Sequence, residues 1–158
     1  MQRLQREFAA FPRPYWVLFF GSIINAVGGG LVFPFLSLYL RQRLDAPMTT
    51  VGFILTAWSL AAFPGQLLGG ELADRVGRRG MMVLSLVASG LTTLGFGLAG
   101  SLAAFLALAV LAGLTNTFYG PAASAMVADL VGPRERARAY GLLRVTNNFG
   151  FAFGPALG

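Results

Sequence analysis

Residues 70–79 read Gly70-Glu71-Leu72-Ala73-Asp74-Arg75-Val76-Gly77-Arg78-Arg79. Five charges fall within nine residues, from Glu71 to Arg79, and long apolar sequence lies on both sides of them. Between Asp45 and Glu71, 25 residues carry no charge, and between Arg79 and Asp129, 49 carry none. A third uncharged run of 27 residues separates Arg13 from Arg41. A bilayer core about 30 Å thick takes roughly 20 helical residues at about 1.5 Å each, so runs of this length cross membranes. The charged decapeptide is then the link between two spanning helices. The whole chain agrees: of 158 residues 56% are apolar and only 11% charged, against about 25% charged in a soluble domain, and mean hydropathy is +0.67. A soluble enzyme, a DNA-binding domain and a disordered tail are excluded. The fold class is an all-α integral membrane protein.

Twelve basic residues against six acids do not mark a nucleic-acid binder. All twelve are Arg, and all but Arg144 are grouped at the ends of the apolar runs, where they set orientation in a membrane. Cys and His are both absent. Disulfides, thiol nucleophiles, haem and the usual zinc sites therefore have no ligands; no cofactor or metal is expected, and no enzymatic activity.

Five spans are expected, at about residues 15–40, 51–72, 81–99, 102–130 and 137–158, the last incomplete where the sequence ends. The 49-residue run is too long for one helix, and Gly95, Gly97 and Gly100 followed by Ser101 supply a break. Ahead of the first span, residues 1–14 place Leu4, Phe8 and Phe11 on one helical face, either a cytoplasmic amphipathic arm in the interface or a frayed basic arm. Orientation follows from the loops. Arg3, Arg6, Arg13, Arg75, Arg78, Arg79, Arg134, Arg136 and Arg138 fall on one side, and Arg41 and Arg43 on the other. Positive residues favour the cytoplasm, so the N-terminus is expected inside, in a multi-pass protein of the cell membrane.

Small residues recur every four positions on span two (Ala61, Gly65, Gly69), span three (Ser85, Ser89, Thr93, Gly97) and span five (Gly150, Gly154, Gly158). Helices in lipid associate by close backbone approach along such ridges. In the charged link, Gly77 permits the positive φ of a tight reversal. Asp74 is an anion able to face a helix N-terminus, and Arg78 and Arg79 offer forked hydrogen bonds to carboxylates. A plain positive anchor would need neither the acids nor the glycines.

The link resembles the signature loop of the major facilitator superfamily: glycine, any residue, leucine, a small residue, aspartate, arginine, any, glycine, arginine, basic. Gly70, Leu72, Ala73, Asp74, Arg75, Gly77, Arg78 and Arg79 match it between spans two and three. The resemblance implies a conformational latch built from Gly70, Asp74, Arg75, Gly77, Arg78 and Arg79. Gly150-Phe151-Ala152-Phe153-Gly154-Pro155-Ala156-Leu157-Gly158 is similar to the family's antiporter motif, whose residues here are Gly150, Gly154, Pro155 and Gly158. That motif is typical of proton-coupled exporters, especially of drugs. Gly28-Gly29-Gly30-Leu31-Val32-Phe33-Pro34 resembles the first helix of such exporters.

The resemblance further implies a charge relay of Asp129 and Arg136 with the signature arginines, although Asp129 also reads as a plain helix-end carboxylate. Exporters of the family often carry an arginine four residues before a glycine in span four; counting back from Gly113, position 109 here is Ala. Arg144 in span five either replaces it, paired with Asp129, or snorkels to the interface. Amides within spans need partners or water. Asn25, Phe33, Asn116, Tyr119, Arg144, Asn148 and Phe151 are candidate lining for a cavity that takes weakly polar or amphipathic solutes, although the amides also read as structural hydrogen-bond partners.

The family's transporters have two six-helix halves built from inverted repeats. The sequence covers most of the N-terminal half, and the expected partners are the bilayer, a small-molecule substrate, protons as coupling ion, and the missing C-terminal half. The expected function is proton-coupled efflux by alternating access, this chain being an N-terminal fragment. The alternative is a truncated membrane protein without transport of its own, an interaction subunit or remnant.

Overall fold

A computed structural model describes residues 11–157 of the chain. Among them run six helices: α1 (Arg13–Leu44), α2 (Met48–Val76), α3 (Arg78–Leu98), α4 (Leu102–Asn116), α5 (Tyr119–Leu130) and α6 (Arg136–Leu157). Four stretches are long and apolar enough to cross a membrane: Arg13–Leu44, Met48–Val76, Arg78–Leu98 and Leu102–Leu130. The fifth expected span is the 22-residue α6, which has the length but is diluted by Arg136, Arg138, Arg144, Asn147 and Asn148. Large apolar side chains such as Val17, Ile24, Phe53, Phe63 and Leu98 face outward, as lipid-facing residues do and as a water-facing surface of this extent would not.

Most helices overrun the expected spans by a few residues, because hydropathy marks the oily layer while the backbone stays helical beyond it. Two expectations need correction. Gly95 and Gly97 do not break the 49-residue run; they lie inside α3, and only Ala99, Gly100 and Ser101 separate α3 from α4. Ser101 then caps α4, its side chain accepting from the Ala104 N–H at 3.3 Å, which satisfies one orphan donor of the first turn. The fourth span keeps its expected extent, Leu102–Leu130, but holds a turn that the sequence reading did not place. It is interrupted at Thr117 and Phe118, between α4 and α5. The arm expected over residues 1–14 lies outside the described residues up to position 10; α1 begins at Arg13.

The chain divides into two compact units, one formed by residues up to Pro34 with those from Ser124 onward, the other by Phe35–Ala123. In the second, Leu36 and Leu40 join Val51 and Ile54 of α2, Phe96 and Ala99, and Phe105, Ala109 and Ala112 of α4 in one apolar cluster. The Phe96 ring lies between Trp58 and Phe105 at centroid distances of 6.3 and 6.0 Å, and the Tyr39 hydroxyl donates to the Phe96 carbonyl at 3.1 Å. Below it, backbones approach closely. A Cβ on Gly65 would strike Leu114 and the Thr117 hydroxyl, one on Gly113 would meet Ala61 Cβ at 3.0 Å, and one on Gly69 would meet Phe118 at 3.0 Å. The small ridge of α2 is thus the face against α4 and the start of α5. On α3 the expected ridge is displaced: the buried positions are Met81, Ser85, Thr92 and Phe96, whereas Thr93 and Gly97 are exposed. Four-residue spacing drifts around a helix of 3.6 residues per turn, and the bulky Phe96, held between two rings, fixes the facing.

In the other unit, α6 lies against the first part of α1. Ala139, Leu143, Thr146, Gly150 and Gly154 are its buried stripe. A Cβ on Gly154 would sit 2.6 Å from Gly30 Cα and 2.7 Å from the Leu31 nitrogen; one on Gly150 would run into Ala26. The Tyr15 hydroxyl donates to the Ala139 carbonyl at 3.0 Å, and the Arg138 guanidinium lies over the Phe11 ring at 5.7 Å, closing the same helix pair near its beginning.

Gly154→Ala is expected to lower the midpoint of a detergent melt by the equivalent of about 1–3 kcal/mol, the usual cost of overpacking. Gly141→Ala, at an exposed helical glycine with nothing within 4 Å of its would-be Cβ, serves as the reference and is expected to hold or raise the midpoint. Equal midpoints for the two variants would refute the close approach of α6 to α1.

Candidate functional site

One residue separates α2 from α3. Gly77 has φ +96° and ψ 138°, a region that costs any other residue about 1–3 kcal/mol. Its N–H donates to the Ala73 carbonyl and its own carbonyl accepts from the Met81 N–H, both at 3.1 Å, so the chain turns a corner without dropping a backbone bond. The expected charged loop is therefore mostly helix: Gly70–Val76 finishes α2, while Arg78 and Arg79 open α3. Its charges pair along the helical surface. Arg75 Nη2 lies 2.6 Å from Glu71 Oε1, and Arg78 Nη2 lies 3.9 Å from Asp74 Oδ1 across the corner. The Asp74 side chain is 73% exposed, so this pair belongs to the weak, solvent-screened class worth about 0–1 kcal/mol. Beneath the corner, Ala73, Met81, Phe118 and Ala122 form a second apolar cluster flanked by Leu72 and Met82, which gives the charged residues a fixed base.

Arg136 does something the sequence does not announce. Its Nε donates to the Val131 carbonyl at 3.1 Å and its Nη2 to the Ala128 carbonyl at 2.7 Å. It caps the end of α5, taking up carbonyls that have no partner within the helix. Asp129 is exposed in the last turn of that helix. The expected pair between Asp129 and Arg144 does not form; among the described residues no ion pair engages Arg144, which lies exposed on α6. The reason is height: Tyr140, one turn before Arg144 on the same side of α6, already meets the Ser124 carbonyl of α5, while Asp129 lies further along α5 in the other direction.

The interruption between α4 and α5 is the polar feature that sequence reasoning undervalued. Pro121 brings no N–H, so the backbone cannot close the α-helical bond four residues back. That carbonyl is Thr117's; hydroxyls bind the carbonyls of the turn just before it. Thr117 Oγ1 donates toward the carbonyls of Gly113 and Leu114 at 3.1 and 3.0 Å, and Ser85 Oγ reaches from α3 to those of Thr115 and Asn116 at 2.8 and 3.2 Å. The Asn116 Oδ1 is buried there with no hydrogen-bond partner. The run of Thr115, Asn116 and Thr117 shortly before Pro121 was the available signal.

The remaining candidate lining residues divide by element. Asn25 is half-buried and Phe33 exposed on α1; Tyr119 is buried at the start of α5; Asn148 and Phe151 are exposed on α6. Ala109, standing where the family often has arginine, is fully buried in the apolar cluster. Pro155 lies within the helical part of α6, and Gly158 is outside the described residues. A shallow depression on α2, lined by Leu55, Thr56, Ser59, Leu60 and Phe63, includes none of the expected lining residues.

Comparison with known proteins agrees with this architecture. The sequence model of the Major Facilitator Superfamily matches residues 18–158. The chain is 28% identical to multidrug resistance protein 2 of Bacillus subtilis over 142 residues, covering 90% of this chain and 35% of the relative. It is 33% identical to the Na(+), Li(+), K(+)/H(+) antiporter of Planococcus maritimus over 134 residues, 81% of this chain and 31% of the relative. It is 25% identical to the quinolone resistance protein NorA of Staphylococcus aureus over 143 residues, 90% of this chain and 37% of the relative. The chain spans about a third of the length of these curated relatives. With the family match running from the first membrane helix to the last residue, together with the all-helical fold and the glycine corner, the chain belongs to the Major Facilitator Superfamily.

Proposed function

We propose that this chain forms part of a secondary transporter that exports small amphipathic molecules in exchange for protons, alternating access across the cell membrane with its N-terminus in the cytoplasm. The observation that carries the reading is the α2–α3 corner. Gly77 and the apolar cluster beneath it hold the geometry, while Asp74 stays exposed in a weak pair with Arg78. A carboxylate bound this loosely exchanges partners at little cost, which is what a latch between conformations requires. Gly70, Arg75 and Arg79 complete the latch, and Asp129 is the acid proposed to trade partners with its arginines; Arg136 supports that end of α5 through its carbonyls.

Export and proton exchange are supported by the company the chain keeps: two of the relatives are named as drug-resistance proteins and one as a cation/proton antiporter. The polar residues within the spans support amphipathic solutes. Asn25, Asn116 and Asn148 offer amides, and Phe33, Tyr119 and Phe151 offer rings. The glycine face of α6, with Gly150 and Gly154 against α1, keeps that pair closely packed, as the antiporter motif implies. Nine arginines on one side against two on the other support the cytoplasmic N-terminus.

Expressed from its intact gene in cells stripped of their own exporters, the protein is expected to drive ethidium efflux that collapses when the proton gradient is dissipated. Asp74→Asn is expected to slow that efflux by up to about fivefold at equal membrane level, the worth of one exposed pair of about 0–1 kcal/mol. Efflux at the original rate would remove the latch role. Orientation is open to a simpler test because the chain has no cysteine: a membrane-impermeant thiol reagent is expected to label Arg43→Cys in whole cells and Gly132→Cys only after permeabilisation. The reverse pattern would overturn the topology.

A further inference from the structure

The interruption between α4 and α5 is gripped from two sides. From α2, a Cβ on Gly65 would strike the Leu114 carbonyl and the Thr117 hydroxyl, and one on Gly69 would meet the Phe118 ring at 3.0 Å and its Cα at 3.2 Å. From α3, the Ser85 hydroxyl, on a residue only 2% exposed, donates toward the carbonyls of Thr115 and Asn116 at 2.8 and 3.2 Å. These are the two helices that meet at Gly77. One turn nearer that corner on each helix, Ala73 and Met81 join Phe118 and Ala122 in a buried cluster. Ser85, the two glycines and the four cluster residues are all buried within this chain, so the arrangement owes nothing to a surface left open.

We propose that Ser85 is a positioning residue for the α2–α3 corner, and that it acts through the α4–α5 turn. The turn is held by an irregular set of bonds. The Phe118 N–H donates to the Thr115 carbonyl, three residues back, at 3.2 Å, where a regular α-helix uses the carbonyl four residues back. Pro121 has no N–H with which to lock the turn that follows. Asn116 Oδ1 is buried with no partner, which weighs against the turn as it stands. The Ser85 hydroxyl weighs for it, because it binds the carbonyls of the two residues that lead into the turn. When that hydroxyl lets go, Phe118 and Ala122 are able to shift, and they are the floor on which Ala73 and Met81 sit. The Gly77 corner then loosens, although no residue of the corner itself has changed. The proposal rests on the reading of that corner as a latch, and names what sets the latch's position.

The test is hydrogen–deuterium exchange, read by mass spectrometry on the protein expressed from its intact gene and reconstituted in nanodiscs. Ser85→Ala is expected to speed exchange about two- to tenfold, the worth of one hydrogen bond, in two places: the turn, with the Phe118 and Ala122 amides, and the corner, with those of Gly77 and Met81. The remainder of α3, from Val87 onward, is expected to keep its rates. Ser85→Thr keeps the donor and is expected to exchange as the original does. Asn116→Leu removes the unpaired acceptor and is expected to slow exchange at the turn and the corner together; it decides the question if the alanine variant does not accumulate. A change at the turn alone, in either variant, overturns the coupling, and so does no change at all. Faster exchange along the whole of α3 overturns it as well, and leaves Ser85 as a plain packing residue. A threonine variant that exchanges like the alanine one has the same effect, because the hydroxyl would then not be the group that holds the turn. Ethidium efflux separates this proposal from the latch reading: coupled exchange in Ser85→Ala with efflux at the original rate would leave the coupling standing and remove the latch.

Discussion

Within a bilayer no water is available to a peptide group that the helix leaves unpaired, and each such group costs several kcal/mol. This constraint decides where the chain is allowed to stop being helical. The α2–α3 corner spends a single residue, and Gly77 still donates to Ala73 and accepts for Met81. The α3–α4 link ends in a serine that caps the next helix. At the interruption inside the fourth span, Thr117 and Ser85 bring hydroxyls to the carbonyls of residues 113 to 116. At the end of α5 the same office falls to Arg136. In each place the departure from the helix and the group that compensates it come as a pair.

Cohesion has a different origin. Lipid tails are as apolar as leucine, so burial of oil adds little and helices gain mainly by approaching until backbones touch. The glycines on α2, α4 and α6 are where this happens, and added Cβ atoms there would run into neighbouring main chain. Many other glycines meet nothing, among them Gly28, Gly29, Gly90 and Gly97, and these are the compositional background of a membrane helix rather than contacts.

This contrast explains what was legible in the sequence. Four apolar stretches of spanning length and the Gly77 reversal could be read because they depend on properties each residue carries with it: oiliness and the freedom of glycine. The α2 and α6 ridges could be read because their small residues repeat in step. The α3 ridge could not, since Phe96 settles its facing through Trp58 and Phe105, residues far from it in sequence. Nor could the roles of Ser85 and Arg136, whose partners are carbonyls that every residue possesses and no sequence singles out. Asp129 and Arg144 looked like a pair on charge alone, yet they stand at different heights on their helices.

Three arginines show how little the residue type determines by itself. Arg75 is held by a carboxylate one turn away on the same helix, a bond that competes with water and shifts at small cost. Arg136 is held by main-chain carbonyls, which cannot move without unwinding α5, so its position is committed for as long as the helix exists. Among the described residues, Arg144 is held by neither. A protein that changes conformation has to keep its corners rigid and its charged contacts exchangeable, and the two demands fall here on different chemistry: positive φ and packed backbone for the corners, exposed ion pairs for the contacts. Replacing the weak pair at Asp74 by a tighter one would therefore hinder a latch rather than improve it, because a contact that must be broken in every cycle adds its full strength to the barrier for leaving.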